Sequence, residues 1–138
     1  MALQYSTTLR NNQLDQIEST VGATAHLRLY SGSPPADCAT APTGTMLLDI
    51  TLPADWMNAA SGGTKTKLGT WQGTGDAGAG TGTNAGYFRL WDSGITNCAM
   101  QGTVTVTGGG GDLTIDNTNI AAAQVVTVST FTVTAGNP

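Results

Sequence analysis

Few side chains in this 138-residue chain could do chemistry: one histidine (His26), two cysteines (Cys38 and Cys98), nine carboxylates and five cations (Arg10, Arg28, Lys65, Lys67 and Arg89). His26 lies in the run HLRLY with no cysteine or carboxylate near it in sequence. A Ser–His–Asp triad needs only nearness in space. The shortage of acids, bases and nucleophiles nevertheless argues against an enzyme, and no catalytic residue is assigned. His26 is read as a hydrogen-bonded surface or interface residue. Two cysteines and one histidine make a poor zinc set, because structural zinc takes four ligands, usually in closely spaced pairs. The tract GTGDAGAGTGTN holds a single aspartate, Asp76, where calcium sites use several carboxylates. No GK[ST] follows it, so no phosphate loop is expected. No cofactor and no metal are predicted, and both cysteines are expected as buried free thiols acting as small hydrophobes.

Charged residues make up 10% of the chain, where about 25% is usual for a soluble domain. The polar surface must therefore be built from threonine, serine, asparagine and glycine. Such a surface suits a component packed against other proteins rather than a free monomer. The net charge of -4, the pI near 4.4 and the scattered cations exclude a nucleic-acid partner. No apolar run approaches the roughly 18 residues of a membrane span, and MALQYSTTLRNN lacks the pattern of a signal peptide, so production in a cytosol is expected. Among the aromatics Tyr30, Trp56, Trp71, Tyr87 and Trp91, several fall on the polar parity of their strands. Exposed there, they could stack on sugar rings or anchor a subunit interface, and the interface reading is preferred. At least Trp56 or Trp71 belongs to the core on either reading.

The elements that must position these groups follow from periodicity. Ser6, Thr7 and Thr8 can each cap a helix in which Leu14, Ile17 and Val21 form a narrow apolar stripe, ended by Gly22, with Arg10, Asn11, Asn12, Asp15 and Glu18 on the other face. Residues 25–31 then alternate, with Ala25, Leu27 and Leu29 opposing His26, Arg28 and Tyr30. A proline-rich surface loop is expected at 31–44. Strands are predicted at 46–52, 64–72 and 85–91, with a mobile glycine-rich loop or arm at 73–86. The strand at 98–107 is expected to turn at the tetraglycine 108–111 and return through 112–116 as a hairpin. Val126 and Val128 are out of phase with Phe131 and Val133, which implies a bulge or a change of sheet near Ser129 and Thr130. One helix followed by short strands gives an all-β antiparallel sandwich or barrel in a single domain: an N-terminal segment and helix at 1–24, β structure at 25–134 and a tail at 135–138.

Two motifs carry a resemblance. Arg10, Asn11, Asn12, Leu14, Asp15 and Ile17 spell RNN-x-LD-x-I, and Leu27 through Gly32 spell LRLYSG. With MLLDITLP and the closing GGDLTIDNTNIAAAQVVTVSTFTVTAGNP, they resemble the capsid cement, or decoration, proteins of tailed double-stranded DNA phages. The similarity spans most of the chain and is weakest across 64–97. It implies a jelly-roll subunit with one short N-terminal helix that dimerises and sits on the exterior of an HK97-like capsid, bridging major capsid protein subunits. The virion is then its location and the host bacterial cytoplasm its place of synthesis. A tail-associated adhesin that recognises a cell-surface sugar is the alternative. Candidate capsid or dimer contacts are Tyr5, Arg10, Tyr30, Pro34, Pro35, Trp71, Tyr87 and Trp91, on or near the segments 2–10, 31–44 and 73–86.

Overall fold

A computed structural model describes residues 1–137, so Pro138 of the predicted tail lies outside the described residues. The chain is mainly β with one α-helix. Helix α1 (Thr7–Val21) precedes β1 (His26–Ser31), β2 (Met46–Thr51), β3 (Thr64–Thr66), β4 (Trp71–Thr74), β5 (Thr83–Trp91), β6 (Cys98–Val106), β7 (Leu113–Ile115), β8 (Asn119–Ile120), β9 (Val125–Val128) and β10 (Thr132–Thr134). The main sheet has the order β2-β1-β5-β6-β7, and β8 pairs with the start of β5. Two ribbons, β4-β9 and β3-β10, complete the β structure. Leu27, Leu29, Ile50, Phe88 and Leu90 of the main sheet share one core with Trp56, Trp71, Val126, Val128 and Phe131.

The helix begins and ends where its capping residues require. Ser6 Oγ accepts a 3.1 Å bond from the Leu9 N–H, and Gly22 closes the last turn at φ 88°. Leu14 and Val21 are buried as the stripe predicts. The face read as polar also docks. Asn11 Oδ1 accepts from Gly63 N at 2.8 Å, Asp15 Oδ1 from Ala60 N at 2.9 Å, and Glu18 Oε1 from Trp56 N and Met57 N at 2.8 and 3.1 Å. The segment 56–63 has little ladder to satisfy its amides, and the helix side chains supply the missing acceptors. Lys65 is only 2% exposed; its Nζ lies 2.8 Å from Asp15 Oδ1, 3.5 Å from Glu18 Oε2 and 2.9 Å from the Asn58 carbonyl.

Three expectations are corrected. Alternation over 64–72 is cut at Gly69, φ 73°, into β3 and β4, which belong to different ribbons. The tract 73–86 is structured rather than mobile: β4 leads into a short 3-10 turn at Ala77–Ala79, capped by Asp76, and β5 begins at Thr83. Its glycines serve close approach, since a Cβ on Gly75 would overlap the Ala121 carbonyl oxygen and one on Gly86 that of Gly32. Finally, β6 and β7 pair in parallel, not as a hairpin. The glycine run folds back along β6, where Gly111 N donates to Thr105 Oγ1 at 3.0 Å and Asp112 Oδ2 accepts from Thr103 N and Oγ1, both at 2.9 Å. That returns the chain to the level of Thr103 before β7 sets off in the direction of β6. The same bonds, the Thr103 amide first, hold the Asp112 carboxyl below its ordinary value. The phase slip at Ser129 and Thr130 is found where the chain leaves β4 for β3 as its partner.

Candidate functional site

On the outer face of the main sheet, three strands set matching residues side by side. On β5, Tyr87 sits between Tyr30 of β1 and Thr103 of β6, Arg89 between Arg28 and Gln101, and Trp91 between His26 and Cys98. Alternation predicts this face to be wet. Instead the loop 31–44 folds over it. Tyr87 Oη donates to the Thr43 carbonyl at 2.6 Å and accepts from the Thr43 amide at 3.0 Å, Gln101 Nε2 donates to the Pro35 carbonyl at 2.6 Å, and Arg89 Nη2 donates to the carbonyls of Asp37 and Thr40 at 3.0 and 2.7 Å. Thr40 N and Oγ1 bond the Asp37 carboxylate, which with the nearby Arg89 charge keeps it below its ordinary pKa.

Cys38 and Cys98 form a disulfide that fastens this loop to β6, which corrects the expectation of two free thiols. The loop's return across the sheet brings the two Cα atoms to 5.4 Å, within the range a disulfide spans. Neither residue's local sequence carries that information.

The loop changes what the candidate contact residues can do. Tyr30 and Tyr87 stack with centroids 5.0 Å apart and are buried, and Trp71 is buried against Phe131 and Trp56, so these three are withdrawn as surface contacts. Pro34, Pro35 and Trp91 remain half-buried at the loop and its rim. Tyr5 and Arg10 lie elsewhere, where the chain's ends meet: Tyr5 N donates to Asn137 Oδ1 at 2.7 Å, and Arg10 Nη1 to the Ala135 carbonyl at 3.1 Å. Replacing Tyr87 by Phe keeps the ring and leaves both Thr43 backbone groups unpaired. That should cost about 1–3 kcal/mol in urea unfolding and accelerate hydrogen exchange at the Thr43 amide.

His26 has a carboxylate partner that sequence reasoning missed. Its Nδ1 lies 2.7 Å from Asp49 Oδ1, while Arg28 Nε and Nη2 each lie 2.8 Å from Asp49 Oδ2. The β1-β2 register places Asp49 opposite Arg28. Both carboxylate oxygens are engaged, and the cluster ties one strand to its neighbour. Among the described residues no three metal-binding side chains of the His, Cys, Asp and Glu types gather, and no helix is long and apolar enough to cross a membrane.

Two clefts stand out. One of about 620 Å³ runs beside the helix between Asp15, Glu18, Asp55 and Lys65. The other, of about 540 Å³, lies beside the disulfide and is lined by Thr40, Pro42, Arg89, Trp91 and Asn97. Compared with protein-family models, curated proteins and solved structures, the chain matches none.

Proposed function

We propose that this protein is a non-enzymatic virion structural protein, a jelly-roll-type homodimer that binds the exterior of an HK97-like phage capsid and stabilises it by bridging major capsid protein subunits. The observation that carries the reading is where the few charges go. His26, Arg28 and Asp49 engage one another, as do Asp15, Glu18 and Lys65, and Arg89 is buried under a loop. The outer surface keeps a few exposed carboxylates, Asp37, Asp55, Asp112 and Asp116, among many uncharged residues, with Met1, Leu3, Leu9, Leu68, Val106 and Val125 exposed. A surface of this kind can add contact area without stripping water from many ions, and the apolar part contributes roughly 25 cal/mol per Å² buried. Two sites per dimer would make weak individual contacts sufficient through avidity.

The resemblance in the RNN-x-LD-x-I and LRLYSG motifs supports the same reading. Within this proposal Tyr5, Arg10, Pro34, Pro35 and Trp91 stay as candidate contacts. Nucleic acid and membrane are not partners, and the disulfide closes once the particle leaves the reducing cytoplasm of its bacterial host. The tail-adhesin alternative is weakened, because Tyr30, Trp71 and Tyr87 are buried and Trp91 is half-buried. The deciding experiment is the copy number of this chain relative to the major capsid protein in purified particles, heads and tails, by quantitative mass spectrometry. A ratio near one that stays with the heads is expected. A few copies leaving with the tails would overturn the capsid reading.

A further inference from the structure

Arg89 has no exposed surface, and among the described residues no carboxylate lies within ion-pair distance of it. Its Nε donates to Gln101 Oε1 at 3.1 Å and its Nη2 to two loop carbonyls. Its Nη1 has no hydrogen-bond partner, and neither has the buried indole Nε1 of Trp91. The two side chains are adjacent on one face of β5, with the guanidinium carbon 5.7 Å from the centroid of the Trp91 ring, and both line the cleft beside the disulfide. Buried donors without acceptors are rare in folded proteins, and the guanidinium hydrogen-bonds only neutral acceptors, the Asp37 carboxylate acting on it through space alone.

We propose that this cleft is a carboxylate-binding site, in which one oxygen accepts from Arg89 Nη1 and the other from Trp91 Nε1. A neutral acceptor could fill either hydrogen bond but would bring no charge to a guanidinium that no carboxylate touches. A carboxylate does both, and its two oxygens suit a pair of neighbouring donors. Both nitrogens are buried, and Ala39, Thr40, Ala41 and Pro42, which line the same cleft, are all exposed. Entry requires this short stretch to shift while the Cys38–Cys98 bond holds its base. The inference stands apart from the capsid reading and is tested separately.

The test uses the full-length, oxidised, ¹⁵N-labelled protein titrated with sodium acetate, against sodium chloride at matched ionic strength and against acetamide. The Trp91 indole N–H and the Arg89 Nε–H are followed by NMR. Acetate should shift both signals along one saturable curve, and chloride and acetamide should not. Trp91→Phe keeps an aromatic ring beside Arg89 and removes the donor; read at Arg89, it should weaken acetate binding about fivefold, the usual worth of one hydrogen bond. Shifts that fail to saturate, that appear equally with chloride or acetamide, or that survive unweakened in Trp91→Phe would overturn the proposal. Because Trp91→Phe leaves Arg89 in place, the outcome does not depend on whether an Arg89 variant folds.

Discussion

Reducing the Cys38–Cys98 bond should lower the stability of the protein by about 4 kcal/mol, the loop-closure value for a cross-link over this span. The two cysteines are 60 residues apart in sequence, and the loop they close contains β2, β3, β4 and β5. An unfolded chain free of that constraint gains much more conformational freedom than the folded chain does. In urea the transition with reductant should fall well below the oxidised one, and the melting temperature should drop by on the order of 10–15 °C. A Cys38→Ser, Cys98→Ser double variant should reproduce the reduced protein. The loss has a local part as well: with the bond open, the loop carbonyls that hold Arg89 Nη2 are tied down only by hydrogen bonds. Coincident transitions with and without reductant would show that the bond does not support the fold.

Asp15→Ala should destabilise by about 2 kcal/mol. The substitution removes the acceptor of the Ala60 amide and the nearer carboxylate of Lys65, whose ammonium is buried. Breaking a fully buried pair costs more; here the carboxylate is 42% exposed and Glu18 still lies 3.5 Å from Lys65, so the lower figure applies. The pH dependence has a definite sign. The Lys65 hydrogen bond, followed by that of the Ala60 amide, holds the Asp15 carboxyl below its ordinary value of 3.8. A depressed folded-state pKa means that this contribution is complete above the unfolded value and disappears as pH falls through the folded one. Wild type and Asp15→Ala should therefore differ most near neutrality and converge in acid, as urea midpoints measured across pH 2–7 would show. Asp15→Asn, which keeps an acceptor for Ala60, should lie between them. A gap independent of pH would remove the charge from the explanation.

Much of this architecture is written in period and punctuation. The helix with its Ser6 cap and Gly22 stop, the alternation of β1 and β2, and the change of partner at Ser129 follow from rules that act over a few residues. What escaped depends on contacts between distant segments. The outer face of β1 and β5 reads as polar because Arg28, Arg89 and His26 alternate with leucines, and nothing local says that a loop with three prolines will roof it. Tyr30 and Tyr87 were misplaced for that reason, and the cysteines with them. One signal was available: a strand carrying Tyr87, Arg89 and Trp91 on its supposedly wet side presents more apolar area than solvent favours. Similarly, Asn11, Asp15 and Glu18 look like an ordinary solvated helix face until the ladder-poor segment 56–63 is known to need acceptors. In the 73–86 tract glycine reads as flexibility, whereas Gly75 and Gly86 are places where two backbones nearly touch.

The pairing of the chain's two ends also bears on how the protein is made. Strand β3 pairs with β10, the Gly63 carbonyl receives the Ala135 amide, and Arg10 and Tyr5 wait for Ala135 and Asn137. On the ribosome, residues near the start must remain incompletely paired until translation has passed residue 137. Contacts this distant in sequence form slowly, and an unpaired strand is meanwhile open to its counterpart in a neighbouring nascent chain. Exchange of the β10 segment between copies is the failure to which this late pairing exposes the chain.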